Sequence, residues 1–416
     1  MSYAVSKLSQ GLVVPAEATP GGSLALSDLD QMPLIRCMVP SMHVFKHGPW
    51  DAANVIRTAL SKALVLYYPL AGKFVEDHKT GEVRVDCTGD GAWFIEASAN
   101  CSLEDVNYLE HPFAIPSQAL LPDSRPHIDI DDLIVLMQVT RFTCGGLVIG
   151  IRTSHTMADG KGAAQFFRAV AELARGMDRP SIMPVWSREL VRRRVERAPA
   201  GPPQDLPSKR LEYMIIDVPT EHVNKLKQQY LNETCKPCST FEVLIATVWQ
   251  CRTRAIGLPP NALTKLSFAA NFLHLLTPAL PAEGGYYGNC FYVLKAKATS
   301  EMVANASIVE LVKIIKETKG KLAEGFAKWV KGEDEEEGDD DCYDTLNATD
   351  WRHLGFNDVD YGWGKAARIV PFEHTDFMPF CVLGLPPAKE NSVRLMTYCV
   401  LKEHYAAFRD QMISLA

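Results

Sequence analysis

His155 lies in Ser154-His155-Thr156-Met157-Ala158-Asp159-Gly160, directly after an apolar run. Imidazole titrates near neutral pH, so a histidine at the mouth of a buried strand, with a carboxylate four residues on, has the chemistry of a general base. On a continuous helix the same His-x-x-x-Asp spacing would put both side chains on one face for a metal. Gly160 and the preceding strand pattern make the segment a turn instead. No third ligand is evident, and no metal site is expected. A nucleophilic triad needs a Ser or Cys within reach, but Ser154 and His155, as strand neighbours, point to opposite faces. A histidine simply satisfied in the core is the bland alternative. Far downstream stands a second unusual segment, Asp360-Tyr361-Gly362-Trp363-Gly364.

The elements that must position His155 follow from periodicity. Asp51 is expected to cap a helix running to about Leu66, which Tyr68-Pro69-Leu70-Ala71-Gly72 stops. Residues 133 to 154 alternate around Cys144-Gly145-Gly146 and predict a hairpin whose second strand delivers His155. After Gly160, Ala164, Phe167, Val170, Ala171 and Ala174 share one helical face, closed by Arg175-Gly176. His155 therefore falls at a strand-to-helix junction. The second half predicts a strand over 211–218, a helix over 220–230 and another from Ser239-Thr240-Phe241-Glu242 through Trp249 and Arg254.

At 416 residues the chain exceeds what one hydrophobic core usually organises, so two domains of roughly 200 residues are expected. A Pro- and Arg-rich stretch without apolar period places the boundary near residue 200: domain 1–190, crossover 191–208, domain 209–416. The 47% hydrophobic and 22% charged residues are those of an ordinary globular protein. A net charge of -7 without a basic stripe argues against nucleic-acid partners. The chain carries neither a signal-peptide core nor an apolar run of membrane-spanning length, so a cytoplasmic protein without a membrane partner is expected. The 11 cysteines lack regular spacing and fit reduced thiols better than a disulfide framework; Cys235-Lys-Pro-Cys238 stands as a lone pair. The acidic run from Glu333 to Asp341 is most simply a surface loop.

With both motifs in view, the chain resembles the BAHD family, plant acyl-CoA-dependent acyltransferases, and it does so nearly end to end. Leu26-Ser-Asp-Leu-Asp30, Tyr68-Pro-Leu-Ala-Gly72, Val85-Asp-Cys-Thr-Gly-Asp-Gly91, the His155 motif, Ser239-Thr-Phe-Glu242, Tyr286-Tyr-Gly-Asn289 and the Asp360 motif fall in family order. The resemblance implies an α/β fold of mixed sheets with flanking helices: two domains resembling chloramphenicol acetyltransferase, joined by a long crossover, with a tunnel between them. It implies a monomer with no permanently bound cofactor, acyl-CoA as co-substrate and a small alcohol or amine as acceptor. His155 would deprotonate the acceptor in a ternary complex and reprotonate the leaving sulfur. By the same resemblance, the Trp363 indole N–H is the candidate oxyanion donor, a packed aromatic being the other reading of that residue. Asp159, Gly160, Asp360, Gly362 and Gly364 are structural, and Ser239 and Thr240 contact CoA. Tyr286, Tyr287, Gly288 and Asn289 read as core strand.

One departure stands out. The family carries an arginine where this chain has Leu273, in Ala270-Asn-Phe-Leu273-His274. That arginine is the usual partner of the motif aspartate, so Asp159 is expected to lack its ion pair unless His274 or another base substitutes, and an unpaired buried carboxylate is costly. Thr140-Arg-Phe-Thr-Cys-Gly-Gly146 and Pro184-Val-Trp-Ser-Arg-Glu-Leu190 resemble the branches of benzyl-alcohol benzoyltransferases, taxane acyltransferases and grass monolignol hydroxycinnamoyltransferases. The expected activity is O-acyl transfer of an aromatic group, p-coumaroyl or benzoyl, to an alcohol such as a monolignol. The alternatives are N-acylation of an amine, or a non-catalytic binding relative.

Overall fold

The hairpin expected around Gly145 forms, with Gly145 at φ +83° and the carbonyl of Phe142 accepting its N–H at 3.0 Å. The computed structural model describes residues 3–77, 79–124, 133–194, 210–276, 279–281, 284–333, 343–371, 378–386 and 391–413. Most of the crossover and the acidic run lie outside the described residues.

In chain order the first half contains β1 (Val5–Val13), β2 (Ser23–Ala25), β3 (Met38–Phe45), α1 (Ala52–Leu66), β4 (Lys73–Glu76), β5 (Val83–Asp86), β6 (Ala92–Ala99), α2 (Ser117–Leu120), β7 (Val135–Arg141), β8 (Leu147–Ser154), α3 (Gly160–Ala174) and β9 (Met183–Val185). The second half contains β10 (Leu211–Pro219), α4 (Thr220–Thr234), α5 (Thr240–Ile256), β11 (Leu263–Asn271), α6 (Leu273–Leu276), β12 (Gly284–Tyr286) and β13 (Phe291–Thr299). It continues with α7 (Ser300–Asn305), α8 (Ile308–Gly320), α9 (Leu322–Lys331), β14 (Thr345–Asp350), β15 (Arg368–Pro371), β16 (Phe380–Gly384), β17 (Ser392–Leu401) and α10 (Lys402–Ile413). The expected helix and strand starts are met closely, although the Asp51 side chain makes no capping bond at α1. Ser239 and Glu242 form a reciprocal capping box at α5, and a Tyr68–Ala71 turn of 3-10 helix follows α1.

Each large sheet belongs to one unit. One runs β1-β6-β7-β8-β3-β15, with β6 and β7 parallel and the other neighbours antiparallel. The other runs β10-β17-β16-β14-β11-β13, with β14 parallel to both β11 and β16. Both are mixed sheets, as expected of an α/β fold. The units are not the two contiguous halves that a cut near residue 200 supplies. Unit 1 comprises Met1–Pro203, Leu273–Cys290 and His353–Glu373, and unit 2 comprises Gln204–Phe272, Phe291–Arg352 and His374–Ala416. Two excursions from the second half thus join the first unit: Leu273–Cys290, whose β12 pairs with β9, and His353–Glu373, whose β15 completes the edge beside β3. A four-residue edge strand has too little pattern of its own to announce its partner.

On the helix side of β3, His43 is fully buried, edge-on to Phe167 of α3 at 6.4 Å and to Phe356 at 5.4 Å. Burial penalises its charged form and pushes its pKa down to about 4 from 6.5. The unfolded chain therefore binds a proton here before the folded protein does, and stability is lost as pH falls from about 6.5 to about 4. The linkage is worth about 3 kcal/mol at 1.36 kcal/mol per unit. We expect a chemical-denaturation series between pH 7 and pH 4 to show that loss, and His43→Phe to remove it from the slope.

Candidate active site

His155 follows the last residue of β8, and the peptide on each side of its Cα is tied. Its N–H donates to the Cys37 carbonyl at 2.9 Å, and its carbonyl accepts from Asn289 Nδ2 at 2.8 Å. Two residues on, the Met157 carbonyl accepts from Arg188 Nη2 at 2.7 Å. The turn then enters α3 through Asp159, whose backbone is extended at φ -72° and ψ -179°. That is the conformation of an N-cap.

Asp159 is buried, and among the described residues no arginine or lysine pairs with it. Main-chain donors hold it instead. Oδ1 accepts the N–H groups of Lys161 and Gly162, both at 3.0 Å, and Oδ2 accepts that of Cys290 at 3.1 Å. Burial still pushes its carboxyl upward; the Gly162 and Cys290 bonds, the nearby charge of His155 and the Lys161 bond oppose that shift. Asp159 thus lacks an arginine partner, as Leu273 implied, and main-chain donors stand in its place. A helix N-terminus and one loop N–H do the work for which an arginine was expected.

A second carboxylate lies beneath the same turn. Asp30 is 0% exposed and forms an ion pair with Arg188, itself 2% exposed. Its Oδ2 also accepts the Ser27 N–H at 2.8 Å, and its Oδ1 takes the N–H and the Nδ2 of Asn289 at 3.1 and 2.8 Å. Sequence reasoning missed all three residues. Each stood inside a quoted motif, but the motifs were read as family signatures, and Asn289 as core strand.

The Asp360 motif lies elsewhere than expected. Asp360 braces its own loop, its Oδ1 accepting the N–H groups of Gly362 and Gly364 at 2.8 and 3.0 Å. Gly362 and Gly364 have φ +108° and +100°, which disfavours any side chain there. The segment runs beside α3 from start to end: Leu354 abuts Gly160, Gly355 faces Ala164, and the Asp360 carbonyl accepts from Arg175 just past the helix. Trp363 stacks on Tyr361 at 5.4 Å, and its Nε1 lies 3.7 Å from where a Gly48 Cβ would stand, beside Leu147. Leu147 opens β8 and His155 follows its end, about 26 Å away at ~3.3 Å per residue. The 15 residues of α3 give a similar ruler, about 22 Å at 1.5 Å per residue. The structure does not bring Trp363 to His155, which favours the packed-aromatic reading of its indole over the oxyanion one.

In unit 2, Ser239 caps α5, its Oγ accepting the Glu242 N–H at 3.2 Å while Glu242 Oε2 takes the Ser239 N–H at 2.7 Å. Burial raises the Glu242 carboxyl, but Lys319 at 2.8 Å, the Ser239 N–H and the charge of Lys316 together bring it below the usual range. The anion at this helix start is thus the chain's own, and Thr240 follows it as the first helical residue.

This architecture recurs among solved structures. The crystal structure of vinorine synthase matches at TM-score 0.74 over 99% of this chain and 98% of that one, at 20% identity, a likeness of fold. The sequence model described as the Transferase family matches residues 3–415. Acyl transferase 4 of Oryza sativa subsp. japonica is 43% identical, covering 99% of both chains. The myricetin 3-O-glucosyl 1,2-rhamnoside 6'-O-caffeoyltransferase AT2 of Crocosmia x crocosmiiflora is 40% identical, again over 99% of both. The chain belongs to this family, the BAHD acyl-CoA-dependent acyltransferases. Among the described residues, no helix is long and apolar enough to cross a membrane.

Two substitutions check the site as built. Leu273→Arg should leave the melting temperature unraised, since both Asp159 oxygens already hold N–H donors. Trp363→Phe should change turnover by less than about tenfold, where losing a true oxyanion donor costs about 100- to 1,000-fold.

Proposed function

We propose that the protein is an O-acyltransferase that moves an aromatic acyl group, of the hydroxycinnamoyl or benzoyl class, from CoA to the hydroxyl of a small alcohol. His155 acts as the base. The observation that carries the reading is the fixed turn: His155 is tied at its N–H and its carbonyl, with the Asp159 carboxylate held in place nearby.

In the proposed cycle His155 accepts the acceptor's hydroxyl proton as the oxygen forms its bond to the thioester carbonyl carbon. The tetrahedral intermediate then breaks its C–S bond, and the proton passes from His155 to the departing sulfur. No bond to the enzyme forms. Asp159 keeps the turn in shape without entering the proton path. Ser239, which is exposed, and Thr240, which is half-buried, remain candidates for CoA contact through the first-turn N–H groups that the capping box leaves over. A cytoplasmic monomer, as read from the sequence, is retained as part of this proposal. The aromatic donor is supported by the caffeoyl group in the name of the Crocosmia relative, which also names an O-acylated glycoside as its product class.

The test is thiol release by the purified protein from acetyl-CoA, benzoyl-CoA and p-coumaroyl-CoA against pooled alcohols and amines, with products identified by mass. Ester formation from an aromatic donor is expected. Amide products alone, or turnover with acetyl-CoA alone, would overturn the specificity. His155→Ala should lower the rate by about a hundred- to ten-thousandfold; unchanged turnover would remove His155 from the chemistry.

A further inference from the structure

We propose that Asp30, Arg188 and Asn289 are positioning residues for His155: one buried carboxylate that, through one guanidinium and one amide, grips two main-chain carbonyls of the turn carrying the base. The proposal rests on the reading of His155 as that base.

A strand-to-helix turn leaves carbonyls to which neither the sheet ladder nor the helix donates a bond. Here two of them, at His155 and Met157, take side-chain donors, Asn289 Nδ2 and Arg188 Nη2. Both donor groups are anchored at their other face to Asp30, through Asn289 Nδ2 to Oδ1 and Arg188 Nη1 to Oδ2. The anchor is itself immobile, because Ser27 and Asn289 donate main-chain N–H groups to it and its own N–H donates to Ser27 Oγ. With the His155 N–H held by Cys37, the peptide planes on both sides of the His155 Cα are fixed, and these set the direction of its Cα–Cβ bond.

Packing alone does not call for this arrangement. A buried ion pair is often replaceable by apolar side chains without loss of stability, whereas apolar side chains donate nothing to the two carbonyls. What the polar version supplies is orientation, and an error of about 1 Å in a catalytic group is worth on the order of a hundredfold in rate.

Asn289→Asp separates positioning from bulk. Its carboxylate would face Asp30 and the His155 carbonyl, donating to neither when ionised and donating one bond when protonated. With p-coumaroyl-CoA as donor, thiol release should fall on the order of a hundredfold at neutral pH, with KM for the CoA ester changed by less than about threefold, and recover partly as pH is lowered. A base alone loses activity in that direction. Asn289→Ala, which keeps the main-chain N–H to Asp30, should show the same loss of turnover without the acid recovery. In histidine-labelled protein, the His155 ring resonance, identified by its disappearance in His155→Ala, should be single in the natural chain and shifted or split in both variants. The NMR arm reads positioning whether or not the CoA ester turns over. An unmoved ring resonance in Asn289→Ala, or activity falling only in proportion to the folded fraction, overturns the proposal. Failure of the base reading looks different: His155→Ala would then retain its thiol release whatever the Asn289 variants do.

Discussion

Burying the Asp30 carboxylate is the constraint around which unit 1 is arranged. An ionised carboxylate removed from water demands a counter-charge and a full set of donors, and breaking such a pair by removing one partner costs about 3–5 kcal/mol. Asp30 finds those donors at Ser27, Arg188 and Asn289, the last 259 residues away along the chain. A chain that leaves Asn289 outside this unit leaves a buried charge short of partners. The discontinuous make-up of the unit and its electrostatics are therefore one fact seen twice.

Asp159 solves the same problem chiefly with main-chain donors, the charge of His155 adding to them. Three N–H dipoles stand around it, two from the start of α3 and one from Cys290. A cage of this kind is less forgiving than an arginine, whose long side chain can reach from several positions. It depends on the main-chain path through Gly288 and Cys290 to within a few tenths of an ångström. Gly288 already lies against the Tyr286 ring, with no room for a side chain that does not displace it.

Much of this was legible in the residues. The hairpin, the junction at His155 and the capping box at α5 each have a local cause, a glycine turn or a side chain that satisfies a helix end. The family motifs located the turn and the bracing role of Asp360. What stayed hidden was non-local. The Asp360 motif and the His155 motif were expected in different domains, with the Trp363 indole serving the His155 site, yet they share a unit. The full length of α3 and β8 separates them. Likewise the missing arginine at Leu273 was visible, but its replacement by main-chain N–H groups was not, since every residue but proline has one. Arg188 looked like one arginine among many until its burial singled it out.

The excursions Leu273–Cys290 and His353–Glu373 bear on how such proteins exchange parts. A gene crossover near residue 200 between two relatives looks like a clean swap of halves. In this architecture it would pair one parent's Asp30, His155 and Asp159 with the other parent's Asn289 and Cys290, and one parent's β3 with the other's β15. Substrate preferences carried on the second half could be traded only between parents whose loops around Asn289 follow the same path. New specificities in such a lineage would then arise more readily from point changes and loop replacement than from shuffled halves.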